Sequence, residues 1–298
     1  MTKVKDRFSD SIASKFTDSK GADCLILKSE SDVGVRRNLG RNGTRYAPRA
    51  IENTFKKLNH HLPIKTFNSR TVSFQAEELL NYEEAINNSS RRISEALSEN
   101  PSKMIHLGGG HDHAYPLLKA LDSNDILIIN FDAHCDTRID TIRHSGTPFR
   151  DFDEEAKSKF HLVQVGIHEY ANNKATLSDL KNNSEEIIYT GELNKVTDPI
   201  ELVDRIFESC PFEIGKETNL FISIDSDAIS SSVMEAVSAV NHDGINPKHL
   251  LDWVNMLKEF PCKTQVLGIY EYNPVFENLS QKGARYLAGL IYTFLGQK

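Results

Sequence analysis

Three short stretches hold residue types that bind divalent cations. Residues 125–138 read DILIINFDAHCDTR, in which Asp132, His134 and Asp136 alternate. Residues 104–113, MIHLGGGHDH, offer His111, and residues 220–228, LFISIDSDA, offer Asp225 and Asp227. Alternate residues on an extended chain project from the same side, so Asp132, His134 and Asp136 can converge on one point. A solvated loop would explain one such triplet. Three separate apolar runs, each ending in carboxylates or imidazoles, are hard to explain that way. Four aspartates and two histidines are enough ligands for two metal ions.

Each stretch implies an element that delivers it. Ile126, Leu127, Ile128, Ile129 and Phe131 form a nearly continuous apolar run, the pattern of an interior parallel strand covered on both faces. The carboxyl ends of such strands are where sites lie in open α/β sheets. Further strands are expected at 22–28, 72–74, 104–107, 161–166, 187–189, 220–224 and 264–269. Helices are expected at 48–58, 76–98, 113–121, 152–158, 199–209, 247–259 and 281–294, with Asp198 as N-cap of the fifth. The repeated strand–helix–strand order predicts a three-layer α/β/α fold with a mostly parallel central sheet. It spans a single domain over 21–298, preceded by a loosely held polar arm over 1–20. Between the first strand and first helix, Gly34, Gly40 and Gly43 mark a long loop of the kind that is often functional.

Composition narrows the class. The chain has 298 residues, with 42 acidic against 35 basic side chains and a net charge of −7, which argues against a nucleic-acid partner. No apolar run approaches the roughly 20 residues that span a bilayer, so no membrane partner is expected. The N-terminal MTKVKDRFSDSIASKF has no apolar segment of a secretory signal. Cys24, Cys135, Cys210 and Cys262 are scattered without a C-x-x-C pair. These features predict a cytoplasmic protein. The triple glycine 108–110 lacks both the Lys-Ser/Thr ending of a P-loop and the spacing of a dinucleotide fingerprint. It reads instead as a close backbone approach that lets His111 reach inward.

LGGGHDHA, NFDAHCDTR, SIDSDA and EYNPVFE, in this order and spacing, resemble the ureohydrolase (arginase/agmatinase) superfamily. The resemblance runs from about residue 34 to the C-terminus. DVGVRRNLGRNG, DAHCDTR, SGTPFR and EYNP look most like its formimidoylglutamase branch. The resemblance implies an arginase-like fold, two Mn²⁺ per subunit and a homo-oligomer, trimer or hexamer. His111 and Asp136 would hold one ion, His134 and Asp227 the other, and Asp132 and Asp225 would bridge. The oxygen-rich set is itself suited to Mn²⁺. Four departures point away from arginase and agmatinase: Asp112 stands where Ser is common, Ser145 where His is common with His144 one residue early, Ser230 and Ser231 where Asp-Pro is usual, and Arg138 near an Asn position.

The implied activity is hydrolysis of N-formimino-L-glutamate, a small molecule, to L-glutamate and formamide. Paired cations held by these residues would lower the pKa of water, so that it could attack the formimino carbon at neutral pH. Asp227 and Glu271 are the expected catalytic side chains, the first for proton transfer and the second to pair with the cationic formimino group. Arg138, Ser145, Arg150, Asn172 and Asn173 are candidates for binding the substrate, whose two carboxylates suit arginine. The competing readings are a guanidino-group hydrolase of the arginase, agmatinase or guanidinobutyrase type that releases urea, and a metal-binding protein without catalysis.

Overall fold

The computed structural model describes residues 10–297 except 102, 178, 179, 194 and 197. Eight strands lie among them: β1 (Cys24–Glu30), β2 (Phe67–Phe74), β3 (Lys103–Leu107), β4 (Ile126–Phe131), β5 (Phe160–Ile167), β6 (Ser184–Tyr189), β7 (Asn219–Asp225) and β8 (Thr264–Tyr270). They form one sheet in the order β2-β1-β3-β8-β7-β4-β5-β6, and every pairing is parallel. The inner strands β4, β5 and β7 are buried along their whole length, whereas β2 and β6 at the edges are partly exposed. That is why the inner runs are continuously apolar.

The helices are α1 (Val33–Arg37), α2 (Ala47–Phe55), α3 (Gln75–Leu80), α4 (Tyr82–Leu97), α5 (Ala114–Leu121), α6 (Pro148–Glu155), α7 (Thr190–Leu193), α8 (Pro199–Glu208), α9 (Pro247–Leu257) and α10 (Lys282–Leu295). Strand alternation divides the core in two. Leu127, Ile129 and Phe131 of β4 pack with α2, α8, α9 and α10. Ile126 and Ile128 point the other way and pack with α4, α5 and α6. The expected three layers are therefore present, with a core on each face of the sheet.

Several elements differ from the sequence reading. The helix expected over 76–98 is two helices, because Asn81 is extended (φ −153°, ψ 100°) and its side chain accepts from the Glu84 N–H to cap α4. The helix expected from 152 starts at Pro148, whose fixed φ suits a first helical turn. The glycine loop contains the five-residue α1, too short for a periodic signal. Of the N-terminal arm, residues 1–9 lie outside the described residues. From Ser11 onward it is held: Ile12 is fully buried, and its N–H donates to Leu58 O at 2.9 Å. Asp198 caps α8 as expected.

Candidate metal centre

The four strands that carry the motifs, β3, β8, β7 and β4, are neighbours at the middle of the sheet. Their carboxyl ends therefore open onto one place. Convergence there is completed by turns rather than by strand alternation. Asp132 lies just past β4, and its Oδ1 accepts the His134 backbone N–H at 2.7 Å. Asp225 ends β7, and its Oδ1 accepts the Asp227 N–H at 2.8 Å. Each aspartate thus folds the chain back over two residues and brings the next ligand beside itself. Asp136 (φ +51°) and Glu271 (φ +60°) adopt the left-handed conformation, which costs a non-glycine residue on the order of 1 kcal/mol. The Glu271 N–H donates to Gly109 O at 2.9 Å, which holds that conformation.

The six candidate ligands form two clusters. His111 Nδ1 lies 2.9 Å from Asp136 Oδ2 and 3.2 Å from both Asp132 Oδ2 and Asp225 Oδ2. His134 Nδ1 lies 3.1 Å from Asp227 Oδ2 and 3.6 Å from Asp132 Oδ1. Within each cluster the ligand atoms fall within 4.8 Å of one another. Asp132 belongs to both, one oxygen toward each imidazole, as a bridge requires. Asp225, implied as a second bridge, groups with His111, Asp132 and Asp136.

The electrostatics call for cations. Burial alone would lower His111, but the carboxylates of Asp132, Asp136 and Asp225 outweigh it and hold the imidazole well above its usual range. Asp227 pushes His134 up to about 12 against the opposing effect of burial. Burial, with Asp132 nearby, raises Asp136 to about 6, and burial with Asp227 and Asp132 raises Asp225 well above the carboxylate range. Burial would raise Asp132 too, but hydrogen bonds with His111 and His134 prevail and hold it low. Burial lifts Glu271 to about 8. The carboxylates of Asp132, Asp136, Asp225, Asp227 and Glu271 outnumber the imidazoles of His111 and His134 in this buried site, and divalent cations are the complement of that charge.

Two buried atoms in the clusters lack a well-aligned hydrogen bond: His111 Nδ1, which faces the carboxylate oxygens of Asp132, Asp136 and Asp225, and Asp227 Oδ1. His111 Nε2 is engaged by Ser223 Oγ at 2.8 Å, and the ring stacks on Tyr270 with centroids 4.7 Å apart. These contacts leave Nδ1 as the donor toward a metal. The residues present fit a two-metal centre.

A cavity of about 300 Å³ opens over the clusters. His134, Asp136, Asp225, Asp227 and Glu271 line its acidic floor, and Asn38, Arg41, Arg138 and Ser145 line its outer part. Arg138 and Ser145, both candidates for binding the substrate, line this cavity. Asn38 joins the two, accepting from Arg138 Nη1 at 2.7 Å and donating to Ser145 Oγ at 3.1 Å.

Arg150, Asn172 and Asn173 do not line the cavity. Arg150 is buried, with Nε donating to Thr137 O at 3.2 Å. Asn172 accepts from the Cys135 N–H and donates to Ala133 O and His168 O, so it braces the 132–136 turn. Asn173 accepts from the Ala175 and Thr176 N–H groups in a turn of its own. These contacts are to the backbone, and the three residues stand apart from the cavity wall on which Arg138 and Ser145 lie. His144 also turns elsewhere, toward the Gly146 N–H and Asp140. Asp112 belongs to a separate buried group with Glu78 and His113 and takes the Tyr82 hydroxyl at 2.6 Å.

Sequence reasoning missed Ser223, Asn38 and Arg41. Ser223 sits two residues before Asp225 on β7, so strand alternation could have found it. Asn38 and Arg41 lie in irregular chain, where no periodicity marks them.

The arginase family model matches residues 23–296. A formimidoylglutamase of Vibrio cholerae is 28% identical over 285 residues, covering 90% of this chain and 82% of its own. The crystal structure of formimidoylglutamase from Bacillus subtilis superposes with a TM-score of 0.81 at 20% identity, over 96% of this chain and 90% of that one. Trypanosoma cruzi formiminoglutamase with Mn²⁺ superposes with a TM-score of 0.77 at 22% identity, over 94% and 98% of the two chains. With the sheet order, the paired acid–imidazole clusters and a family match over nearly its whole length, the chain belongs to the arginase family.

Proposed function

We propose that the chain is a hydrolase of linear amidines that converts N-formimino-L-glutamate to L-glutamate and formamide, using two Mn²⁺ per chain. One observation carries this reading: an acidic two-cluster floor lies beneath an outer cavity lined by arginine and serine. The floor suits the cationic amidine end of a substrate, and the arginines suit its carboxylate end. The names of the Vibrio and Trypanosoma proteins support the substrate, and the Mn²⁺ of the latter supports the metal.

His111, Asp132 and Asp136 would hold one ion with Asp225, and His134 and Asp227 would hold the other with Asp132. Such ions supply the Lewis acidity that lets water act as a nucleophile at neutral pH. The chain's own groups do the rest. Glu271, oriented by the His111 N–H at 3.0 Å, pairs with the amidinium and presents its carbon. Asp227, with one oxygen unpartnered, takes a proton from the attacking water and returns it to the departing amine. Water adds to the formimino carbon, the bond to the glutamate nitrogen breaks, and formamide and glutamate leave. Arg138, held by Asn38, binds a substrate carboxylate beside Ser145. A cytoplasmic homo-oligomer, trimer or hexamer, completes the proposal, and free Cys24, Cys135, Cys210 and Cys262 fit a reducing compartment.

The test supplies N-formimino-L-glutamate, arginine, agmatine and guanidinobutyrate separately to the Mn²⁺-loaded protein, and assays glutamate, formamide and urea. Glutamate and formamide from the first substrate alone are expected. Urea from any guanidino compound would overturn the substrate assignment.

A further inference from the structure

Two arginines line the cavity, Arg41 and Arg138, and among the described residues neither forms an ion pair. Other arginines of the chain, such as Arg49, Arg70, Arg92, Arg143 and Arg205, are paired with glutamates. Two unpaired guanidinium groups above a floor of carboxylates would be drawn into it unless held back. Arg138 is held by Asn38.

Arg41 is held by a different set of contacts. Its backbone N–H donates to Ser238 Oγ at 3.0 Å, and its Nη1 donates to Val237 O at 3.3 Å. Its guanidinium lies 5.0 Å from the Phe276 ring centroid. Its carbonyl accepts from Asn273 Nδ2 at 3.3 Å, and the same amide reaches Asn42 O at 2.9 Å. Asn273 is fully buried two residues beyond Glu271, and its own N–H donates to Ala236 O at 2.7 Å. The backbone of Arg41 is therefore tied to the strand exit that carries Glu271, and to the segment around Ser238 that forms another wall of the cavity. A side chain mounted this way keeps most of its donors free while its position is fixed before any ligand arrives.

We infer that Arg41 is a specificity-determining residue that binds one of the substrate's two carboxylates, leaving the other to Arg138. The inference rests on the proposed formimino-dicarboxylate reading and adds to it a residue and a division of labour. A site with two separately mounted guanidinium groups selects a ligand that is amidine at one end and carries two anions elsewhere, and disfavours substrates lacking one of them.

The experiment compares the Mn²⁺-loaded wild type with Arg41→Ala, Arg41→Lys and Arg36→Ala. Arg36 lies on the same loop, is exposed, and does not line the cavity. The substrates are N-formimino-L-glutamate and two analogues, each lacking one carboxylate, and L-glutamate serves as a competitive inhibitor. Losing a charge-assisted contact should raise KM for the dicarboxylate roughly 10- to 100-fold in Arg41→Ala, with the loss falling on KM rather than kcat, and should weaken glutamate inhibition in parallel. Arg41→Lys should recover part of it. One of the two analogues should lose nothing further in Arg41→Ala, since it lacks the anion that Arg41 meets. Wild-type turnover of N-formimino-L-glutamate with KM and glutamate inhibition unchanged in Arg41→Ala would overturn this inference alone. An equal effect in Arg36→Ala would overturn it too, by showing bulk charge at work. A wild type that neither turns over N-formimino-L-glutamate nor is inhibited by glutamate would overturn the functional reading, and this inference with it.

Discussion

At the scale of single residues, His111 is positioned from several directions at once. Ser223 engages Nε2 at 2.8 Å, Tyr270 stacks on the ring, and Phe149 meets it edge-on at 5.5 Å. Ser223 fixes which nitrogen faces the neighbouring carboxylates. Ser223→Ala is therefore expected to weaken metal affinity about 10- to 100-fold in chelator competition while the protein stays folded. Unchanged affinity would contradict a positioning role for the hydroxyl. The grouping of the six candidate ligands was legible because aspartates and histidines end three separate apolar runs. The reason for their convergence was not legible: it lies in side-chain-to-backbone turns at Asp132 and Asp225 and in left-handed Asp136, which no periodicity reports. That Arg150, Asn172 and Asn173 lie off the cavity wall was not legible either, because a polar residue near a motif can bond the backbone, as each of these does.

At the scale of elements, the exit of β3 is the tightest joint around the site. A Cβ on Gly109 would sit 1.8 Å from the Ser31 carbonyl oxygen, backbone against backbone, so neither side can move alone. The glycine lets the end of β3 pass close to the end of β1 while the Gly109 carbonyl accepts from Glu271. Gly109→Ala is expected to displace His111 and Glu271 together. Thermal denaturation should show a lowered midpoint, and Mn²⁺ titration a loss of tight binding. A variant with native midpoint and metal affinity would show that the approach is not required. The triple glycine was legible as a close approach, and that is what the structure contains. Helix 76–98 was legible only as one element, because its apolar spacing continues smoothly past the break that the Asn81 cap imposes.

At the scale of the whole molecule, the strand order assembles the site by placing β3, β8, β7 and β4 side by side from distant parts of the chain. A parallel, layered sheet was legible in the repeated strand–helix pattern. The order of its strands was not, since continuous apolar runs do not specify their neighbours. The same sheet carries a cost at β3. Lys103 starts that strand, packs against Gln265, and is lowered by burial to about 8. Its folded-state pKa lies below the unfolded value, so between about pH 8 and 10.5 the unfolded chain binds more protons and this group's contribution to stability rises with pH. Lys103→Met should melt higher than the wild type at pH 7.5, and the gap should narrow by pH 10. A constant gap would contradict this account of Lys103.

The central claim is that two clusters sharing Asp132 hold two ions, and elemental analysis of metal per chain tests it most directly. Two Mn²⁺ per wild-type chain, about one in His134→Ala and fewer than one in Asp132→Ala are the results expected. One ion per wild-type chain at saturating Mn²⁺, or Asp132→Ala retaining both, would contradict it.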